Sequence, residues 1–434
     1  MDYLYIDEKG PQETIRMTTP YDEEKKIKLG NDNMYVYVAD LIKINEESLH
    51  EIEEKYKLLE RKYMSSRNFP DNKELKGKDI LGKNFKYGIA SLKGRELDFY
   101  NSLFDLLLEN HVDNLLFSIN KMSLVADNKL TGWILELEEK RYIKSACLLK
   151  YSLVKYLEIE ASDSVIQSIF DSNKRNREVL TEIQKDMAAF VEKNKHIQRV
   201  KVQIQEYREL IQTIRKTKHL IQDTPFAEVS FDWNKVSFDI DLCITEMCLA
   251  NKFNMQSVEL ILDEGIPLEP FKKLNFPSIK EDEDSATYVG LRISDVLVVI
   301  SGKYISKLAN DFRYDKNNPE KRKLFPNDWF QLDEKQFDLL KKMKKYFFPN
   351  DPTYCFIVDT YFDDALLFET YFRYISSYES FNDYIEHLET HVDQYFEYLA
   401  GIVTSKWKIA LERETRKKYG SMISGIKAGI IRPI

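Results

Sequence analysis

The sequence predicts an α/β protein: a mixed sheet, interrupted by a long helical insertion and followed by a mostly helical C-terminal region. Three observations carry that expectation. Short β-rich stretches with two-residue alternation occur near the N-terminus and again near residue 260, with amphipathic helices beside them. A three/four spacing of apolar residues dominates 124–222. Beyond about residue 328 the chain is aromatic-rich and helical in pattern. The resulting organisation is a core in two parts, 1–123 and 223–310, an insertion over 124–222, and a C-terminal region over 311–434.

Taken in order, Tyr3, Tyr5 and Asp7 point to one side of a first strand and Leu4 and Ile6 to the other, until Lys9-Gly10-Pro11 ends it. Met34–Ile42 fits a second strand. Asn45 is a fitting N-cap for the helix EESLHEIEEKYKLLERKY. After a polar loop around Pro70, Phe85–Leu92 reads as a strand, RELDFYNSLFDLLLEN as a helix and Val112–Ile119 as a strand. In the insertion, Leu180, Ile183, Met187, Phe190, Ile197, Ile204 and Ile211 form a coiled-coil-like seam, interrupted by Asn194, Lys201 and Arg208. That seam serves either a hairpin packing on itself or an arm gripping a protein partner, a second copy or nucleic acid. Strand character returns at 226–231 and, after a helix across 234–252, at Ser257–Asp263. The acidic run KEDEDSATYVG then leads into the helix LRISDVLVVISGKYISKL, and 311–328 reads as a linker.

Composition narrows the classes. A length of 434 residues allows two or three domains at about 150 residues each, and 43% hydrophobic residues supply a large core. Cys147, Cys243, Cys248 and Cys355 form no CxxC pair, which argues against a disulfide framework or zinc ribbon and makes a reducing cytoplasm the expected setting. The opening MDYLYIDEKG has acids where a signal peptide needs bases. The apolar run VLVVI at 296–300 is far short of the roughly 20 residues of a membrane span. With 72 acids against 64 bases, uniform nucleic-acid binding is unexpected. The charge is uneven, however: 161–222 carries 12 bases and 8 acids, 223–310 carries 8 and 15, and 401–434 carries eight and two. Basic surface is therefore expected on the insertion and the C-terminal end.

Acids collect where strands end. Asp7 and Glu8 close the first strand, Asp263 and Glu264 close the strand at 257–263, and Glu96 opens a helix. Asp295 lies on a helix among Ile293, Val296 and Leu297, where an unpaired carboxylate is costly without a cation or hydrogen bonds. Open α/β sheets gather ligands at the carboxyl ends of their strands. Carboxylates converging there would form a hard oxygen site for Mg2+ or Mn2+, and a pair of such ions serves phosphodiester hydrolysis.

YIDEKG at 5–10, LKGRE at 92–96, LILDEG at 260–265 and DSATYVGLRISDVL at 284–297 resemble the domain-of-unknown-function family 3800 (DUF3800), which is regarded as ribonuclease H-like. The resemblance covers roughly 1–123 and 223–310. It implies a ribonuclease H-like mixed sheet and a metal-dependent nuclease acting on RNA or DNA. Asp7 matches the first-strand aspartate, Asp295 the closing-helix aspartate, Asp263 the acidic end of a late strand, and Glu96 the acid opening the first core helix. Glu8 and Glu264, from their strand-end positions, are further candidate metal ligands, and Lys9 and Arg292 candidate phosphate contacts, although Arg292 and Ser294 depart from the Gln and Ala that the family tends to show there. Asn120 stands where such nucleases commonly supply Asp, which opens the alternative of a non-catalytic binding or regulatory protein with a degenerate site. A toxin-type or phage-defence effector is a third expectation, drawn from the family alone.

Weaker signals remain. His387 and His391 lie one turn apart in HLETH, without the HExxH order of a zinc protease. KWKIALERETRKKYG at 406–420 is either a solvated basic helix end or a backbone contact for nucleic acid. Cys243 and Cys248 read as core residues.

Overall fold

A computed structural model describes residues 1–9, 16–17, 27–28, 36–70, 73–82, 84–143, 145–171, 173–224, scattered positions between 234 and 249, and 253–312, 325–349, 356–357 and 364–427. Its centre is a mixed sheet built on β1 (Asp2–Lys9). A short separate ladder pairs β2 (Arg16–Met17) with β3 (Ile27–Lys28). On one side of β1 lies antiparallel β4 (Val36–Ile44), then β5 (Asp113–Asn120), antiparallel to β4. On the other side β6 (Val258–Asp263) runs parallel to β1, and β7 (Ser278–Glu283) parallel to β6. The order is thus β7-β6-β1-β4-β5, extended at the β5 edge by the two-residue β8 (Phe356–Ile357). Because β6 is parallel to β1, the chain must cross over between β5 and β6, and the helical insertion is that crossover.

Strand alternation sorts the core into two faces. Tyr5, Val38 and Ile42 face α1 (Glu46–Ser66), α3 (Arg95–Glu109) and α9 (Val289–Phe312). The C-terminal helices α10 (Glu334–Phe347), α11 (Asp364–Ile375) and the start of α12 (His391–Tyr419) enlarge this layer. The five-residue α2 (Gly77–Leu81) tucks against α9. Leu4, Ile6, Tyr37, Phe117 and Ile119 face the insertion: α4 (Lys121–Glu139), α5 (Ala146–Lys155), α6 (Asp163–Phe170), α7 (Asn176–Asn194) and α8 (Lys201–Thr217). The insertion is therefore a layer of the fold. Its seam residues Leu180, Ile183, Met187, Ile197, Ile204 and Ile211 are buried in the core of this layer. Each such side chain contributes roughly 1.5–3 kcal/mol.

The seam takes the first of its two expected forms, two helices packed as a hairpin: Asn194 ends α7 with its amide donating to Phe190 O at 2.8 Å, and a 3₁₀ turn at Gln198–Val200 precedes α8. One expectation is corrected and one strand is added. Phe85–Leu92 is no strand. Gly88–Ser91 is a 3₁₀ turn, its Gly88 at φ +59° where a Cβ would meet Tyr304 and Trp329. Gln336 donates to Ala90 O and Leu92 O, doing for this backbone what a neighbouring strand would do. The acidic run, for which no element is predicted, begins inside the edge strand β7, SIKEDE, whose largely polar, partly exposed residues show no apolar alternation. The strand expected at 226–231 lies outside the described residues, as do most positions of the helix at 234–252, including Cys243; its described positions are helical. Among the described residues no helix is long and apolar enough to cross a membrane.

Candidate metal centre

Three aspartates are brought together by sheet register and two glycines. Ile6 pairs with Leu262, so Asp7 and Asp263 are the next residues on two adjacent parallel strands. Alternation places Asp7 on the α9 side of the sheet with Tyr5. Helix α9 can lie close to β1 because its second residue is Gly290, where a Cβ would fall within 2.3 Å of the Tyr5 ring. Ser294 ties the helix to β4 by donating to Asp40 O at 2.6 Å. Asp295, next on α9, is oriented from α2: the Gly77 N–H donates to its Oδ2 at 2.6 Å. Gly77 is itself required, since a Cβ there would sit 2.9 Å from Val299 Cβ and 3.0 Å from the Asp295 carbonyl.

The electrostatics follow from that crowding. Asp7 is 7% exposed. Burial, then the charges of Asp263 and Asp295, push its pKa well above the carboxylate range, against a 2.6 Å hydrogen bond from the Glu8 N–H. Burial also raises Asp263, opposed by Lys76, the Glu264 N–H and a hydrogen bond from the Asp7 carboxyl. Burial and neighbouring charge thus favour the protonated form at both acids, an effect a bound cation would reverse. Lys76 is the cation at the centre. Its Nζ lies 2.7 Å from Glu74 Oε1 and donates to Ser285 Oγ at 2.7 Å, and Ser285 donates to Glu74 at 2.6 Å. Burial lowers the Lys76 pKa, but Glu74, then Asp295 and Asp263, outweigh it and leave the ammonium form favoured. Beside Asp295, the fully buried Tyr100 hydroxyl has no hydrogen-bond partner among the described residues.

The other sequence-predicted residues are placed elsewhere. Glu96 is held by Arg67 at 3.5 Å and by the Tyr63 hydroxyl at 3.4 Å, not by the aspartates. Glu8 points to the opposite face of the sheet, beside the Tyr37 hydroxyl, as strand alternation requires. Glu264 is exposed beyond the end of β6, and its N–H rather than its carboxylate serves Asp263. Arg292 is not free for phosphate: its Nε lies 3.1 Å from Glu60 and its Nη1 donates to Ala286 O. The Lys9 side chain lies outside the described residues. Asn120 caps α4, accepting from the N–H groups of Met122 and Ser123 and donating to Glu158 at 2.6 Å. Lys76 and Glu74 escaped sequence reasoning because they sit in a polar stretch read as loop, about 70 residues from β1 in the chain and about 190 from β6.

No protein-family model, curated protein or solved structure matches the chain. Its chemistry must be read from the site alone. The oxygen-only donors and the unpartnered Tyr100 hydroxyl suit a hard cation such as Mg2+ or Mn2+ with its water. Among the described residues, however, no group of three or more His, Cys, Asp or Glu side chains is placed so that it could hold a metal ion.

His391, singled out with His387, is structural. Its Nε2 donates to Tyr384 O at 3.0 Å, so Nδ1 accepts from the Tyr374 hydroxyl at 2.9 Å. The ring stacks on Tyr384 at 4.1 Å. Burial lowers its pKa to about 4, so it is neutral and fully committed.

Proposed function

We propose that this protein is a ribonuclease H-like, metal-dependent nuclease that cleaves phosphodiester bonds of RNA or DNA at Asp7, Asp263 and Asp295. The observation that carries the reading is the convergence of these three acids from two strands and a helix, where burial and neighbouring carboxylates raise both Asp7 and Asp263. Carboxylates so placed are stable only with a proton or a cation between them. Further support comes from the sheet, in which β1 has an antiparallel β4–β5 extension on one side and two parallel strands on the other, and from the resemblance of the opening and closing motifs to the DUF3800 family.

Asp7 and Asp263 would hold the cation, with Asp295 as the third donor. A bound Mg2+ or Mn2+ would ease deprotonation of the attacking water and stabilise charge on the leaving oxygen. The chain's own part is to orient and to balance charge. Gly77 fixes the Asp295 carboxylate, burial of Asp7 limits competing water, and Lys76 keeps a positive charge beside the acids for an incoming phosphate.

The test is Mn2+-dependent cleavage of labelled RNA and DNA by wild type, Asp7→Asn and Asp295→Asn. Both variants are expected to fold and to lose cleavage; unchanged cleavage in both sinks the assignment. A second reading, a binding protein that keeps the fold without catalysis, is favoured by the lack of a ready-made three-ligand cluster among the described residues. It predicts no cleavage by the wild type under any divalent cation.

A further inference from the structure

Residues 61–95 carry ten bases and three acids, the strongest basic excess found in any part of this acidic chain. Counting over 1–160, where acids win, conceals it. The segment covers the end of α1, the loop holding Lys76, α2 and the first residue of α3, so it lies directly beside the three aspartates. Some of its bases are committed: Arg67 to Glu96, Lys73 to Asp79 and Lys76 to Glu74. Arg61 donates to Lys57 O and Lys86 lies over the Tyr87 ring. Lys62, Lys78, Lys93 and Arg95 are exposed, and none has a carboxylate partner among the described residues. Lys62 and Arg95 line one shallow cleft of about 70 Å3 between α1 and α3, together with the hydroxyls of Ser66 and Ser102 and the carboxylate of Asp98, which Lys335 pairs at 3.6 Å. Tyr63 in that cleft donates to Ile80 O of α2, and the first residue of α2, Gly77, donates to Asp295. Five helical residues span only ~8 Å, so cleft and acids are neighbours.

We infer that Lys62, Lys78, Lys93 and Arg95 form a binding track for the phosphodiester backbone of a nucleic-acid strand, leading along the α1–α3 cleft to the acids. The inference rests on the proposed nuclease reading for what happens at the end of the track. Physically, three carboxylates repel a phosphodiester, and uncommitted bases beside them supply the attraction that brings it in. The track offers a strand bases and hydroxyls, the one carboxylate of the cleft, Asp98, being paired by Lys335, and Tyr63 and Phe99 are both buried. Recognition should therefore be independent of sequence.

The experiment is fluorescence anisotropy with labelled oligo(U) and oligo(dT) in EDTA, over a salt series, so that binding is read without cleavage. Wild type should bind with log K falling against log salt at a slope of about −3 for four contacts. Changing Lys62, Lys78, Lys93 and Arg95 together to Glu should weaken binding at least about a hundredfold at low salt and remove most of the slope. The milder set with Gln should lose the slope in the same way and guards against misfolding. A control with the same charge change, Lys185→Glu, Lys195→Glu, Lys272→Glu and Lys345→Glu, uses exposed lysines outside the track and should bind as wild type does. No binding by wild type, or equal losses in track and control variants, overturns the inference. So does binding to phosphatidylserine vesicles but to neither oligonucleotide. Binding that follows the track without any cleavage overturns the nuclease reading alone, whereas cleavage untouched by the track variants overturns the track alone.

Discussion

The acid centre and the His391 nest both bury titratable groups, yet in opposite ways. Around His391 every polar ring atom meets a complementary partner: a carbonyl accepts from Nε2 and a tyrosine hydroxyl donates to Nδ1. Around Asp7 the principal neighbours are two more acids. The nest is a satisfied core, and a ligand has nothing left to bind there. The acid centre is a set of like charges kept together by the strands and α9, with Lys76 beside them. Burial alone therefore says little about function; whether the buried group's partners are complementary or competing says more.

Breaking the nest should act on stability. His391→Ala removes a packed ring and two hydrogen bonds, and is expected to cost about 3 kcal/mol in denaturant unfolding. It should leave any Mn2+-induced rise in Tm unchanged. A slightly smaller effect comes from pH. The folded His391 pKa of about 4 lies below its ordinary value, so the unfolded chain binds the proton more readily. Stability should be full above about pH 6.5 and fall as pH drops toward 4, by on the order of 2–3 kcal/mol from this group at most. Comparing wild type with His391→Gln isolates that contribution; identical pH profiles would remove His391 from the account. Gly77→Ala should cost less, about 1–2 kcal/mol, because the new methyl pushes α2 off α9. It should also cost more cleavage than stability, since the Asp295 carboxylate loses its hydrogen bond. Cleavage that falls no further than the folded fraction would make Gly77 a packing residue only.

Much of the core was legible in the chain. Alternation in DYLYIDEK placed β1 and its Asp7 face, and VELILD placed β6 with Asp263 at its end; together they put the two acids side by side once the strands paired. Asp295 was legible as a carboxylate out of place among apolar neighbours. What was not legible depends on contacts distant in sequence. Lys76 matters because α2 docks on α9, and nothing near Lys76 announces that. Glu96 and Arg292 looked available, but Arg67 and Glu60 reach them from α1. β7 was hidden because an edge strand need not carry an apolar pattern, and the Phe85–Leu92 turn because its apolar residues are buried by helices rather than by strands.

The central claim is that Asp7, Asp263 and Asp295 bind a divalent cation. Calorimetric titration of Mn2+ into wild type, Asp7→Asn and Asp263→Asn tests it directly. The account predicts binding with proton release in the wild type, as the cation displaces protons that burial and repulsion favour on these acids, and lost or strongly weakened binding in both variants. Absence of binding in the wild type, or equal binding in all three proteins, would contradict it.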